Sequence, residues 1–149
     1  MNNTALQYSV KLLSRRDYSE FKLRVKLQNK QFQDFEIDEA IEALKIKKYI
    51  NEENYTENRI IELILRNYGN LYIINKLNEE KLYPEEININ KIRTERNMEE
   101  ENIIQILLIK KAHSLKDIPL LKKKNKINSY LTAKGFDFYS IEKVIESLT

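Results

Sequence analysis

Cysteine and tryptophan are absent from this 149-residue chain, histidine occurs once, and glycine and proline occur twice each. Without cysteine there can be no disulfide and no thiolate metal site, which agrees with a cytoplasmic address. One histidine, His113, cannot supply the imidazole pair of a zinc site or of a nucleophile and its base, so it is expected to be a partly exposed helix residue. Neither glycine lies in a phosphate-cradling motif, and nucleotide hydrolysis by the chain itself is not expected. The longest aliphatic run, residues 106–109, is far short of the roughly 20 residues that cross a bilayer. Residues 1–13 lack the continuous apolar core of a signal peptide. The expectation is a non-enzymatic monomer with no cofactor, no metal and no membrane partner.

What is present is helical. With 42% hydrophobic residues and few breakers, the chain reads as all-α. An apolar pattern repeats along it. From Leu27, apolar residues follow at Phe32, Ile37, Ala40, Ile41 and Leu44; from Leu131 the same offsets give Phe136, Ile141, Val144, Ile145 and Leu148. A weaker copy starts at Leu77 with Leu82 and Ile87, then drifts to Ile89 and Ile92. A period of this size indicates tandem repeats. The reading is three repeats of three helices, at residues 1–50, 51–95 and 96–149, stacked into an elongated, curved body.

Local signals place the helices. Residues 1–4 should fray. A first helix over residues 5–14 carries the stripe Leu6, Val10 and Leu13. Ser19 should cap a second helix over residues 19–30 that buries Leu23 and Leu27, and Asp34 should cap the third. Asn51 should cap a fourth over residues 52–67, with Glu52 and Glu53 suiting its own dipole and Gly69 ending it in the left-handed conformation. A fifth covers residues 71–80, and a sixth holds Pro84 in its first turn and runs to about Thr94. Residues 95–101 are a connector or the start of the seventh, whose apolar residues 103–112 should be largely buried. After an irregular stretch around Pro119, an eighth helix runs from about 120 to Lys134; Gly135 ends it and Asp137 caps the ninth.

Charge is unevenly spread. Residues 11–30 carry seven Lys or Arg against two acids and residues 110–126 seven Lys against one acid, whereas residues 49–109 carry seven basic and twelve acidic groups. Exposed ion pairs contribute only about 0–1 kcal/mol each, a weak reason to gather like charges. Two readings stand: solvated helix faces, or contacts with an anionic partner. The candidates are Arg15, Arg16, Lys22, Arg24, Lys26 and Lys30 in the first block, and Lys122, Lys123, Lys124 and Lys126 in the second. For Tyr18, Tyr49, Tyr55, Tyr68 and Tyr130, packing at helix ends is the first reading and stacking on unpaired bases the second. The run Glu99, Glu100, Glu101 reads as a solvated helix terminus rather than a metal site.

Three segments resemble the RecX family of bacterial recombinase regulators: LLSRRDYSEFKLRVKL at 12–27, LKIKKYINEENYTENRI at 44–60 and NYGNLYIINKL at 67–77. The likeness is clear over residues 5–92, and Arg16 coincides with the family's Arg before Tyr-Ser. Lys22 stands where the family favours Glu, Lys47 or Lys48 where it favours Gly, Asn54 where it favours Arg, and Glu80-Lys81 where Lys-Gly is usual. The resemblance implies tandem three-helix repeats that bind the RecA filament on single-stranded DNA, dock in its groove, and restrain ATPase, strand exchange and coprotease functions. The alternative is a stand-alone helical nucleic-acid-binding module whose second helix acts in a helix-turn-helix manner.

Overall fold

The computed structural model describes residues 4–148 as nine helices with no strand among them. They are α1 (Ala5–Leu13), α2 (Glu20–Asn29), α3 (Asp34–Ile46), α4 (Glu52–Leu65), α5 (Asn70–Glu79), α6 (Glu86–Glu95), α7 (Glu100–Ser114), α8 (Leu120–Ala133) and α9 (Phe138–Ser147). The fold is all-α, as the sequence indicates. The chain divides into two compact units, residues 1–58 and 59–149. Of the terminus expected to fray, residues 1–3 lie outside the described residues. Thr4 does not fray: its hydroxyl accepts from the Gln7 N–H at 3.1 Å, and the Gln7 side chain accepts from the Thr4 N–H at 3.0 Å.

In the first unit, Leu23 and Leu27 of α2 meet Ile37, Ala40, Ile41 and Leu44 of α3, with Tyr18 and Ile50 closing the core. The α1 face differs from the expected stripe. Ala5 and Ser9 are buried and Val10 is exposed, because the Ser9 hydroxyl donates to the Ala5 carbonyl at 2.7 Å and so satisfies itself against the core. Ser19 caps α2 by accepting from the Lys22 N–H at 3.2 Å. The α3 cap sits one residue earlier than expected: Gln33 is the cap residue and Asp34 the first helical one. Asn51 caps α4 by accepting from the Asn54 N–H at 3.1 Å.

The repeat pattern has a concrete backbone meaning. Gln31, Lys81 and Gly135 take positive φ, four residues after Leu27, Leu77 and Leu131. The next amide in each case returns to the leucine carbonyl: Phe32 to Leu27 at 3.2 Å, Leu82 to Leu77 at 3.0 Å, Phe136 to Leu131 at 3.2 Å. This is the Schellman closure, in which a left-handed residue frees the chain to turn and the following apolar side chain packs back on the helix. Lys48, Asn67 and Asn97 repeat it after α3, α4 and α6, returning Tyr49, Tyr68 and Met98 to Leu44, Leu63 and Arg93. Asn67 at φ 65°, not Gly69, therefore ends α4.

Left-handed backbone costs a side-chain-bearing residue about 1–2 kcal/mol, part of which glycine recovers after its larger unfolded-chain entropy is counted. Lys48→Gly is therefore expected to stabilise the first unit by about 0.5–1 kcal/mol, seen as a higher urea midpoint at unchanged slope.

The drift of the second copy has a local cause. Residues Tyr83 and Pro84 lengthen the connection, so α6 begins two positions later relative to its leucine anchor than α3 or α9. Glu85 is the cap residue of α6, which leaves Pro84 outside the helix rather than in its first turn. Ile87 consequently faces solvent and Ile89 is buried. One turn on, the position held by Ile41 in the first copy and Ile145 in the third is held by Arg93, almost fully buried. On α7 only Ile103, Ile104 and Leu107 are buried, while Ile106 and Ile109 are half exposed, so this helix is less enclosed than its composition suggests. Leu148, counted in the third seam, is also exposed.

The two glycines of the chain meet each other in the second unit. The Gly69 N–H donates to the Lys134 carbonyl at 2.8 Å and the Leu71 N–H to the Gly135 carbonyl at 3.0 Å. This backbone clasp joins the start of α5 to the end of α8. It requires contact too close for side chains: a Cβ on Gly69 would stand 2.3 Å from the Gly135 oxygen, and one on Gly135 2.3 Å from the Tyr72 Cβ.

Candidate functional site

Acidic residues at the starts of α4 and α7 cap the starts of α2 and α5. Glu52, the first residue of α4, accepts from the Glu20 N–H at the start of α2 at 2.7 Å. Glu100, the first residue of α7, accepts from the Asn70 N–H at the start of α5 at 3.0 Å. A carboxylate there satisfies an unpaired amide and meets the positive end of the helix dipole. Glu52 thus serves α2 as well as its own helix, and Glu100 is part of a joint rather than a solvated terminus. Of the other two acids in that run, Glu99 holds the cap position of α7 and Glu101 pairs with Lys143 at 2.7 Å.

The second joint is extended by Arg93. Its Nε donates to Asn70 Oδ1 at 2.8 Å, one terminal nitrogen to the Met98 carbonyl at 3.1 Å, and the other to the Tyr68 carbonyl at 2.6 Å. The Asn70 amide in turn donates to Asn90 at 2.8 Å and Glu86 at 3.2 Å. Burial pushes the Arg93 guanidinium below its usual value, and the nearby Glu100 charge opposes that. Glu100 moves up: burial raises it, against the Asn70 amide hydrogen bond and the Arg93 charge.

An acid whose folded value lies above its unfolded one holds its proton more tightly in the fold. Its contribution to stability is therefore lost as pH rises from about 4.5 through the raised value. Glu100→Gln is expected to flatten the part of the melting-temperature profile that falls as pH rises above about 4.5, while leaving the neutral-pH melting temperature equal or higher.

The basic candidates separate into groups. Lys22, Lys26 and Lys30 stand four apart on and just after α2, along one helical face. The Lys30 ammonium lies 5.3 Å from the Tyr8 ring centre, and Lys26 has no carboxylate partner among the described residues. Arg15 and Arg16 are exposed in the α1–α2 turn, and the Arg16 guanidinium sits 5.0 Å from the Tyr18 ring centre. Arg24 does not join this row: it binds Asp38 at 2.8 Å and lies 3.9 Å from Glu20.

On α8, Lys122, Lys124 and Lys126 are exposed and Lys123 is half-buried. Lys123 and Lys124 border an apolar hollow of about 290 Å³ floored by Leu108, Ile127 and Ile145. His113 is exposed on α7, and no group of three potential metal ligands occurs among the described residues.

Sequence reasoning missed a third basic cluster. Tyr68 and Tyr72 stack with ring centres 3.8 Å apart and planes 7° from parallel. The Lys134 ammonium lies 4.0 Å from the Tyr68 ring centre, with the Arg66 guanidinium at 5.6 Å, and Lys76 lies 5.5 Å from the Tyr72 ring centre. The hydrogen bond between the two phenols lowers Tyr68 and raises Tyr72. Tyr68 and Tyr72 are four apart, which is the only local signal. Lys134 arrives through the glycine clasp and could not be placed from the sequence.

The family model described as "RecX, first three-helix domain" matches residues 5–44. A regulatory protein RecX of Haemophilus influenzae is 34% identical over 136 residues, covering 91% of this chain and 89% of that protein. One from Mannheimia succiniciproducens is 33% identical, covering 91% and 88%. The crystal structure of RecX from Lactobacillus salivarius superposes with a TM-score of 0.78 at 22% identity, covering 97% of this chain and 94% of that one, and so shares the fold. No described helix is long and apolar enough to cross a membrane. Likeness at this identity over nearly the whole length of both chains, together with the shared fold, places the chain in the RecX family of regulatory proteins.

Proposed function

We propose that this chain restrains the RecA recombinase by binding the filament that RecA forms on single-stranded DNA, limiting ATP hydrolysis, strand exchange and coprotease activity. The observation that carries the reading is the near full-length likeness to relatives named regulatory protein RecX. The chain acts as a cytoplasmic monomer without a cofactor, and its three helical repeats span residues 1–50, 51–95 and 96–149. The row Lys22, Lys26, Lys30 with Arg15 and Arg16, and the lysines of α8, are the cationic surfaces offered to filament or DNA. Arg24, neutralised by Asp38, acts instead as a strut between α2 and α3.

Titrating the chain into ATP hydrolysis by its cognate recombinase on single-stranded DNA tests this directly: hydrolysis should fall to a plateau. Charge reversal of Lys26 and Lys30 should raise the concentration needed while the helical circular dichroism is unchanged. Hydrolysis unaffected by the wild-type chain would remove the reading. A stand-alone nucleic-acid module would instead bind naked strands as well as recombinase-coated ones. If four to six phosphates are engaged, the log–log salt slope of affinity should be about −3 to −4.

A further inference from the structure

We propose that Arg66, Tyr68, Tyr72, Lys76 and Lys134 form a binding site for single-stranded nucleic acid, in which the tyrosine pair stacks an unpaired base and the cations hold the flanking phosphates. The site goes beyond the recombinase reading and needs no recombinase to be present.

The arrangement has the two parts such a ligand requires: aromatic faces that accept any base and positive charges that follow the backbone. Both are fixed in place. The Tyr68 carbonyl is held by Arg93 at 2.6 Å, its amide by Leu63 at 3.2 Å, and the next residue by the Gly69–Lys134 hydrogen bond at 2.8 Å. The rings therefore sit on an ordered backbone, not on a loose loop, and a rigid platform loses less freedom on binding. The rings themselves are only half-buried.

The cations are available. Arg66 is exposed and has no carboxylate partner among the described residues. Lys134 likewise has none; its ammonium rests on the Tyr68 ring and donates to the Arg66 carbonyl at 3.2 Å. Lys76 has one, Glu79, at 3.7 Å. A base approaching Tyr68 displaces the flexible lysine stem from the ring. The ammonium then moves to a phosphate, so its charge remains in use. An acidic protein surface would use the cations but would gain little from two parallel rings. This difference makes nucleic acid the better match and also separates the two in the test.

The test is anisotropy of a labelled oligothymidylate with the full chain, beside an abasic oligomer of the same length and phosphate number. Wild type should bind the thymidylate at least about fivefold more tightly than the abasic strand. Tyr68→Leu should abolish that preference. Arg66→Gln with Lys134→Gln should weaken both strands and reduce the log–log salt slope by about 1–1.5. Thermal unfolding of each variant checks the fold, and Arg66→Gln alone serves if the lysine substitution, by removing the Lys134–Arg66 hydrogen bond, loosens the fold. Equal affinity for the two strands in wild type, or a preference that survives Tyr68→Leu, overturns the site. Neither result would bear on the recombinase assay.

Discussion

Gly135→Ala should destabilise the second unit by about 2–5 kcal/mol, the larger part of the stability of many small domains. Two costs add at this position. The backbone sits at φ +99°, which a side chain tolerates poorly. The new methyl would also stand 2.3 Å from the Tyr72 Cβ and 2.6 Å from its backbone nitrogen, and those atoms belong to a helix that cannot move alone.

Gly69→Ala isolates the second cost. At φ −83° and ψ 169° any residue is comfortable, so the whole penalty comes from crowding the Gly135 carbonyl at 2.3 Å and the Phe136 nitrogen at 2.7 Å. About 1–3 kcal/mol is expected, with loss of the Gly69–Lys134 and Leu71–Gly135 hydrogen bonds. Urea unfolding measures both. A Gly69→Ala chain with the wild-type midpoint would mean that the clasp does not hold.

Arg93→Ile tests the other joint and is expected to cost about 3–5 kcal/mol. Isoleucine is what the first and third copies place at the equivalent position, so shape and helix propensity favour the change. The polar surroundings oppose it. The Tyr68 and Met98 carbonyls and the Asn70 side chain would lose their donors inside the fold, and an unsatisfied buried group costs about 1–3 kcal/mol. Arg93→Lys should rescue little, because one ammonium cannot reach three acceptors set in a plane by a guanidinium. Pairing Arg93→Ile with Asn70→Leu should recover part of the loss, as the amide no longer needs a partner. That double-mutant cycle reads the coupling between them. Additive losses would mean that the two residues act independently.

How much of this was legible depends on how far apart the interacting atoms lie in the chain. Ser19, Asn51 and Asp137 were readable as caps because a cap binds an amide three residues away. The leucine anchors were readable because a Schellman closure spans six residues and leaves the same apolar spacing each time. Gln33 and Asp34 both suit a helix start, and a difference of one residue is finer than local signals resolve. Pro84 was misplaced because proline fits both before and inside a first turn, and only the longer connection decides between them.

Gly69 shows where local reasoning stops. Its residue type suggested a helix terminator, and Asn67 does that work two positions earlier. Gly69 is glycine because Gly135 comes within contact distance, and nothing within a helical turn of either one announces the other. Arg93 lies in a largely polar helix, with nothing in its local sequence that signals burial. Its burial follows from a two-residue shift of register together with acceptors from Tyr68, Asn70 and Met98. The tyrosine and lysine cluster depends on the same meeting of α5 with α8.

By itself, the sequence determined the all-α class, the number and order of the helices, and the family resemblance, since periodic burial and short-range hydrogen bonds are encoded within a few residues. Only the tertiary structure decided which glycines touch, which arginine is buried and which cations gather on aromatic rings. Those outcomes depend on close packing and desolvation between segments distant along the chain, and one residue's identity does not disclose its partner.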